Sequence, residues 1–325
     1  NLSYSASVTR SYFSHQHDSL HTLSSYCRNL IKTFFVSTMS TSVSTDERML
    51  KAIRKIVPNL NNTKYKGQDG RIGIFGGSME YTGAPYFAAM SALRTGADLV
   101  HVFCAKDTGI PIKSFSPEPI IHPILDQPDA IRQIRPWLDR LHVIIIGPGL
   151  GRDESVFKTI AELISICRDI KKPLVIDADG LFLISQKPDI IKDYPGVILT
   201  PNAMEFSRLV KGVFDKTVQP TPMVKPNDVK YLTVSCGLGG SGRRCGGQGD
   251  LLVGTLSVFW WWGICAGASE SSLSAPIVAS YAASRLVREC NAYAYKLKQR
   301  GMLTSDMLEQ VQPVFARLCE THCNK

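Results

Sequence analysis

The sequence predicts an α/β protein built on a mostly parallel central sheet with helices on both faces. Three observations carry that prediction. Short apolar runs of strand length recur along the chain, each ending in a glycine or polar turn and followed by helical spacing. One of them, Val143-Ile144-Ile145-Ile146, is wholly apolar, as a strand buried on both faces should be. The 325 residues, 44% hydrophobic and 20% charged, suit a globular chain with one large core.

Taken in order, Arg71-Ile72-Gly73-Ile74-Phe75 reads as a strand running into the turn Gly76-Gly77. Glu80-Tyr81-Thr82-Gly83-Ala84-Pro85 reads as a loop that offers Tyr81 and Thr82 as polar contacts. Phe87, Met90, Leu93 and Arg94 keep helical spacing from Tyr86 to Thr95, and Gly96 ends that helix as a C-cap glycine would. Leu99 to Cys104 forms the next strand. Val143 to Ile146 stops at Gly147-Pro148-Gly149-Leu150-Gly151, a tight turn or a place of close backbone approach to a ligand. Leu174-Val175-Ile176 runs into Asp177-Ala178-Asp179-Gly180, whose acids read as helix caps or turn formers. Val197-Ile198-Leu199 leads to Thr200-Pro201-Asn202, where Asn202 and Glu205 have capping-box spacing. Asn202, Glu205 and Arg208, three apart, share one helix face. Ligands of a parallel sheet bind beyond the carboxyl ends of its strands, so these turns are expected to converge on one crevice.

The most informative stretch is Gly239-Gly240-Ser241-Gly242-Arg243-Arg244-Cys245-Gly246-Gly247-Gln248-Gly249-Asp250. It leads directly into Leu251-Leu252-Val253, the first turns of a buried helix. Glycines ahead of a helix start let several backbone N–H groups aim at one point, where the helix dipole favours an anion. Arg243 and Arg244 add bidentate oxyanion donors. Asp250 lies at the helix mouth, placed to take a proton or to hold a metal. An ordinary glycine turn with a capping Asp is the bland alternative. No Gly-Lys-Ser/Thr closes the run, so it is not a Walker A loop, and it does not open a βαβ unit as a GxGxxG element would.

No apolar run is long enough to span a bilayer, which points away from a membrane protein. The net charge of +9 is scattered, which favours an enzyme of anionic small molecules over a nucleic-acid binder. Nine dispersed cysteines fit reduced thiols, and Cys319 to Cys323 lacks the second ligand pair of a zinc site, so no metal site is expected there. Residues 1–47 are read as a targeting or disordered segment and 48–325 as the folded domain. The segment is rich in Ser and Thr, carries Arg10, Arg28 and Lys32, and has Asp18 as its one acid before Asp46. That composition resembles a mitochondrial transit peptide; a cytosolic start at Met39 is the alternative.

From about residue 48 onward the motifs, in order, resemble the ATP-dependent NAD(P)H-hydrate dehydratases, relatives of the ribokinase-like sugar and vitamin kinases. The resemblance is carried by Gly76-Gly77-Ser78 with Glu80 to Pro85, Ser91 to Leu99, and Ser116-Pro117-Glu118. It continues through Gly147 to Arg152, Ile176 to Leu181, Thr200 to Leu209, and Arg243 to Asp250. It implies a ribokinase-like fold and a repair reaction: ATP-driven dehydration of the S-epimer of hydrated NADH or NADPH, with magnesium bridging the phosphates. It also implies roles for single residues. Gly240, Ser241, Gly242, Arg243, Arg244, Cys245, Gly246, Gly247, Gln248 and Gly249 would hold ATP. Gly149, Asn202, Ala203, Met204, Glu205, Phe206, Ser207 and Arg208 would contact the hydrated dinucleotide, and Asp250 would be the catalytic base. A homo-oligomer is compatible with this reading. A small-molecule kinase of the same fold, or a nucleotide-binding protein without turnover, are the alternatives.

The sequence departs from the family at one place. Members carry a further strand ending in Lys-Gly-x-x-Asp between the Asn-Glu-Arg helix and the glycine-rich run. Here Val224 to Lys230 begins the expected helix and passes almost directly to Tyr231-Leu232-Thr233-Val234-Ser235-Cys236. An internal deletion of roughly twenty residues near 230 is therefore expected, the length of a helix end and a strand. Lys211-Gly212-Val213-Phe214-Asp215 spells the lost motif but lies too early in the chain.

Overall fold

The computed structural model describes residues 43–214, 234–267 and 274–320. Most of the leader, and the region of the expected deletion, lie outside the described residues. The elements follow one another as α1 (Val43–Ile56), β1 (Arg71–Phe75), α2 (Gly83–Thr95), β2 (Leu99–Cys104), α3 (Gly109–Phe115) and β3 (Ile120–Pro123). Then come α4 (Ala130–Leu138), β4 (Val143–Ile146), α5 (Glu154–Asp169), β5 (Leu174–Ile176), α6 (Ala178–Gln186), β6 (Val197–Leu199) and α7 (Ala203–Phe214). A helical layer closes the chain: α8 (Gln248–Cys265), α9 (Ala275–Lys298), α10 (Thr304–Glu309) and α11 (Val311–Cys319).

The strands form one all-parallel sheet in the order β3-β2-β1-β4-β5-β6. Successive residues of β4 explain why it is apolar throughout. Val143 and Ile145 join Ile72, Ile74, Val100 and Val102 beneath α2, α8 and α9, whereas Ile144 and Ile146 join Phe75, Phe103, Leu174 and Ile176 beneath α5 and α6. All four β4 side chains are fully buried, because each face of the sheet carries its own helical layer. α8 crosses α2 at Gly254, where a Cβ would stand 2.0 Å from Ser91 Oγ and 2.1 Å from the Ala88 carbonyl. None of the described helices is long and apolar enough to cross a membrane.

Three expectations change, and one reservation holds. The first helix begins at Val43, and Asp46, assigned to the leader, is buried in the fold, accepting from the Tyr281 hydroxyl (2.6 Å) and Arg285 Nε (3.1 Å). α2 begins at Gly83 instead of Tyr86, since Pro85 is tolerated in a first helical turn whose N–H groups need no intrahelical partner. β3, an edge strand ending in Pro123, was not foreseen; its four residues alternate too briefly to stand out. Finally, Lys211-Gly212 lies within α7, so it forms no nucleotide-binding loop: a Cβ on Gly212 would come 2.0 Å from the Ser185 carbonyl, and the glycine serves the packing of α7 on α6.

Candidate active site

β1 and β4 are neighbours, and the chain moves away from them in opposite directions, which makes the crevice above their carboxyl ends the ligand position of an open α/β sheet. The two glycine turns meet there. The Gly77 N–H donates to the Pro148 (3.1 Å) and Gly149 (3.0 Å) carbonyls, and the Gly147 N–H to the Phe75 carbonyl (3.0 Å). Gly147, at φ +125°, would bring a Cβ 1.8 Å from the Asp177 carbonyl, and Gly149, at φ +60°, would bring one 2.3 Å from the Tyr81 carbonyl. Both turns are thus glycine-rich because they interlock. Gly149, expected as a substrate contact, first of all lets the crevice floor close.

Two carboxylates face each other across that floor. Asp177, at the end of β5, is buried and makes no capping bond; its Oδ1 accepts the Thr200 hydroxyl at 2.7 Å. Its Oδ2 lies 3.7 Å from where a Gly249 side chain would start, so it looks onto the first turn of α8, the turn that carries Asp250. Burial pushes the Asp177 carboxyl up to about 7, against the Thr200 hydrogen bond and with the charges of Glu205 and Asp179 adding to the rise. Burial and then the charge of Asp177 push Asp250 up to about 8. An acid with its pKa near neutrality, in a crevice and beside a specific partner, has the properties of a proton-transfer group. The sequence marked Asp250 but left Asp177 as a cap or turn former. Asp179 ties the turns together, accepting from the Gly151 N–H (3.1 Å) and Arg152 Nε (3.1 Å).

The glycines of the run before α8 divide into two kinds. Gly239 (φ +73°) and Gly240 (φ +88°) lie against α9, with a Cβ reaching 3.2 Å from the Arg288 carbonyl carbon and 3.4 Å from the Arg288 guanidinium respectively. They are glycines because the loop presses on a helix. Gly242 and Gly246 have nothing within 4 Å of a Cβ, so their backbone borders open space. Gly247, left-handed at φ +92°, is the N-cap of α8 and supplies no side-chain capping bond, which leaves the helix start available to an anion. Arg243 and Arg244, expected as oxyanion donors, here donate to the loop's own carbonyls, Arg243 Nη1 to Arg244 (2.9 Å) and Arg244 Nη1 to Ser241 (2.7 Å). Arg243 Nε is buried without a partner, an unspent donor in the loop.

The run Asn202 to Arg208 opens α7 at the next strand end. Asn202 Oδ1 accepts the N–H groups of Met204 and Glu205 at 3.0 Å, and the Asn202 N–H donates to Glu205 Oε2 at 2.9 Å, so the capping box read from the sequence is present. Asn202 and Glu205 are therefore engaged with each other. Met204 is exposed, and Ser207 Oγ is buried without a partner. The Arg208 guanidinium lies 5.7 Å from the Phe182 ring, which Arg152 also approaches, at 4.1 Å. Cys245 is partly exposed and Cys319 buried; among the described residues no group of three or more His, Cys, Asp or Glu could hold a metal.

A parallel sheet with a crevice at its switch point and an uncapped, glycine-led helix aimed into it defines a ribokinase-like α/β protein. A ribokinase-like protein from Enterococcus faecalis superposes with a TM-score of 0.66 at 19% identity, over 89% of this chain and 98% of that one. An ADP/ATP-dependent NAD(P)H-hydrate dehydratase from Bacillus subtilis, co-crystallised with ATP and Mg2+, gives 0.58 at 19% identity over 83% and 97%. The family model of NAD(P)H-hydrate dehydratases matches residues 72–231. The ATP-dependent (S)-NAD(P)H-hydrate dehydratase of Aedes aegypti is 52% identical over 92% of this chain and 94% of its own, and the human one 43% identical over 86% and 87%. The chain belongs to the ATP-dependent (S)-NAD(P)H-hydrate dehydratase family. The Aedes comparison runs over 315 aligned positions but takes up only 92% of 325 residues, about 299, so roughly sixteen positions of the relative have no counterpart here.

Proposed function

We propose that this chain uses ATP to dehydrate the S-epimer of hydrated NADH and NADPH, restoring the reduced dinucleotide, with Asp250 as general base. The observation that carries the residue-level reading is the uncapped start of α8, bordered by Gly242 and Gly246, with Asp250 in its first turn. ATP enters as its magnesium complex and sets its phosphates on those N–H groups and on Arg243 and Arg244. The hydrated ring carries a hydroxyl, a poor leaving group. Asp250 takes the hydroxyl proton as the oxygen attacks the γ-phosphorus, and ADP departs. The phosphorylated carbon then loses phosphate as the neighbouring carbon loses a proton, and the ring double bond returns. Stoichiometrically, one ATP yields ADP and inorganic phosphate per dinucleotide repaired. The run Asn202 to Arg208, with Gly149, forms the dinucleotide side of the crevice, where Arg208 and Ser207 retain bonding capacity.

The shortfall of aligned positions supports an internal deletion near Lys230, and the family match ends at 231, before the glycine-rich run. In the described residues the sheet is continuous and ends at β6. A lost strand beyond β6 would leave β6 as an open edge. The basic, Ser/Thr-rich N-terminal sequence supports mitochondrial import. The test of the function is to supply hydrated NADH with ATP and magnesium and follow NADH absorbance together with free phosphate. Recovery of both in equal amounts supports the dehydratase. A phosphorylated product that accumulates without NADH would make the chain a small-molecule kinase.

A further inference from the structure

The loop that receives the phosphates has no regular secondary structure between Gly239 and Gly246, so its shape must be imposed from outside. Two side chains of α9, one helical turn apart, impose it. Arg288 donates from Nε to the Leu238 carbonyl (2.9 Å) and from Nη2 to the carbonyls of Gly237 (2.9 Å) and Gly239 (2.8 Å). The Arg288 carbonyl in turn accepts the Gly240 N–H at 2.8 Å. Asn291, 5% exposed, accepts both the Ser241 N–H (2.6 Å) and the Ser241 hydroxyl (2.7 Å) on Oδ1, and donates from Nδ2 to the Arg243 carbonyl (3.3 Å). α10 closes the far end: Thr304 donates to the Gly246 carbonyl and packs on Gly247.

The helix that does this is itself anchored. Arg285, one turn before Arg288, pairs with Asp46 of α1 and with Glu289, and Glu289 pairs with Arg317 of α11. Among the described residues, the hydrogen bonds from Arg288 and Asn291 of α9 to the loop engage backbone groups and Ser241. Three loop carbonyls turned toward one guanidinium are three carbonyls turned away from an incoming phosphate, while the backbone at Gly242 and Gly246 borders open space. An anion site made of backbone donors depends on such pre-alignment, because ordering the loop upon binding would otherwise subtract from affinity.

We propose that Arg288 and Asn291 are positioning residues for ATP: they hold residues 237–243 in the phosphate-accepting shape before nucleotide arrives, and so set nucleotide affinity without touching the substrate. The proposal rests on the loop's role as the ATP site. Loss of either side chain removes three hydrogen bonds to the loop, and the expected effect is a weakening of ATP binding by roughly tenfold or more.

The experiment compares the full chain with Asn291→Ala, Arg288→Ala and the milder Arg288→Lys. It measures binding of magnesium ATP by calorimetry and amide hydrogen exchange at Gly240, Ser241 and Arg243. The expected result is ATP affinity reduced about tenfold or more in both alanine variants and partly restored in Arg288→Lys. Exchange should rise at those three amides while β1 and β4 keep their protection. In turnover, KM for ATP should rise far more than kcat falls, with KM for hydrated NADH little altered, a split that general destabilisation would not produce. ATP affinity within threefold of wild type in both alanine variants overturns the proposal. If the wild-type chain itself binds no ATP, the functional reading falls, and exchange decides the clamp alone: unchanged protection of the three loop amides in the variants refutes it.

Discussion

Replacing Asp177 by Asn should stabilise the ligand-free protein at alkaline pH and much less so in acid. The carboxyl is buried, looks onto the helix turn that carries the partly buried Asp250, and is pushed up to about 7 against an ordinary 3.8. A group whose folded-state pKa is raised contributes stability below its unfolded pKa and loses it as pH climbs to the folded value. For Asp177 that window is from about pH 4 to pH 7. Each unit corresponds to 1.36 kcal/mol, so about three units set an upper bound of roughly 4 kcal/mol, and because the rise comes mainly from burial, relaxation of the site toward a higher effective dielectric brings a working figure to about 2 kcal/mol. Asn keeps an acceptor for the Thr200 hydroxyl while removing the charge. At about 2–4 °C per kcal/mol for a chain of this size, the variant should melt some 4–8 °C above wild type at pH 8.5. The gain should shrink toward zero near pH 4.5. Differential scanning fluorimetry without nucleotide or magnesium, across that range, is the assay. A gain that is equal at both ends, or larger in acid, would show that Asp177 is not held as a strained carboxyl and would refute the reasoning.

Further outcomes follow from the same geometry. Asp250→Asn should cost about 10²–10⁴ in kcat while magnesium ATP still binds; retention of more than a tenth of the activity would sink its assignment as base. Because the charge of Asp177 raises Asp250, Asp177→Asn should move the acid limb of the kcat/KM profile to lower pH in whatever activity remains, and a profile that stays in place argues against their coupling. Gly254→Ala, whose Cβ would stand 2.0 Å from Ser91 Oγ and 2.1 Å from the Ala88 carbonyl, far inside van der Waals contact, should lower stability by about 3 kcal/mol, whereas Gly242→Ala should leave the melting temperature unchanged and weaken ATP binding. Supplying the strand expected to be missing near Lys230 should raise both the melting temperature and the stabilisation by ATP; equal melting and equal response in the two chains would make that segment dispensable.

Local physics decided what was legible beforehand. Buried parallel strands are continuous apolar runs, so β1, β2, β4, β5 and β6 stood out by composition, and the Asn202–Glu205 capping box depends on residues three apart. Gly96 closes α2 as foreseen, at φ +125°, with its N–H on the Ala92 and Leu93 carbonyls. β3 and the early start of α2 were missed because four residues with a proline, and a Gly-Ala-Pro opening, carry little periodic signal.

The glycines show where such reading stops. From sequence alone Gly147, Gly149, Gly239, Gly240, Gly242 and Gly246 look alike, all candidates for backbone approach to a ligand. The tertiary structure separates them: at four, another piece of backbone or a helix lies where a side chain would start, whereas at Gly242 and Gly246 a side chain would meet nothing and packing does not demand glycine. In the same way Asp250 announced itself by position in a motif, while the weight of Asp177 came only from burial and from facing Asp250 across some seventy residues of sequence. The sequence determined the strand-turn-helix order and the family and marked the glycine-rich loop, because those depend on short-range patterns. Which side chains shape that loop, and which acid raises the pKa of Asp250, depended on distances between residues far apart in the chain, and only folding sets those.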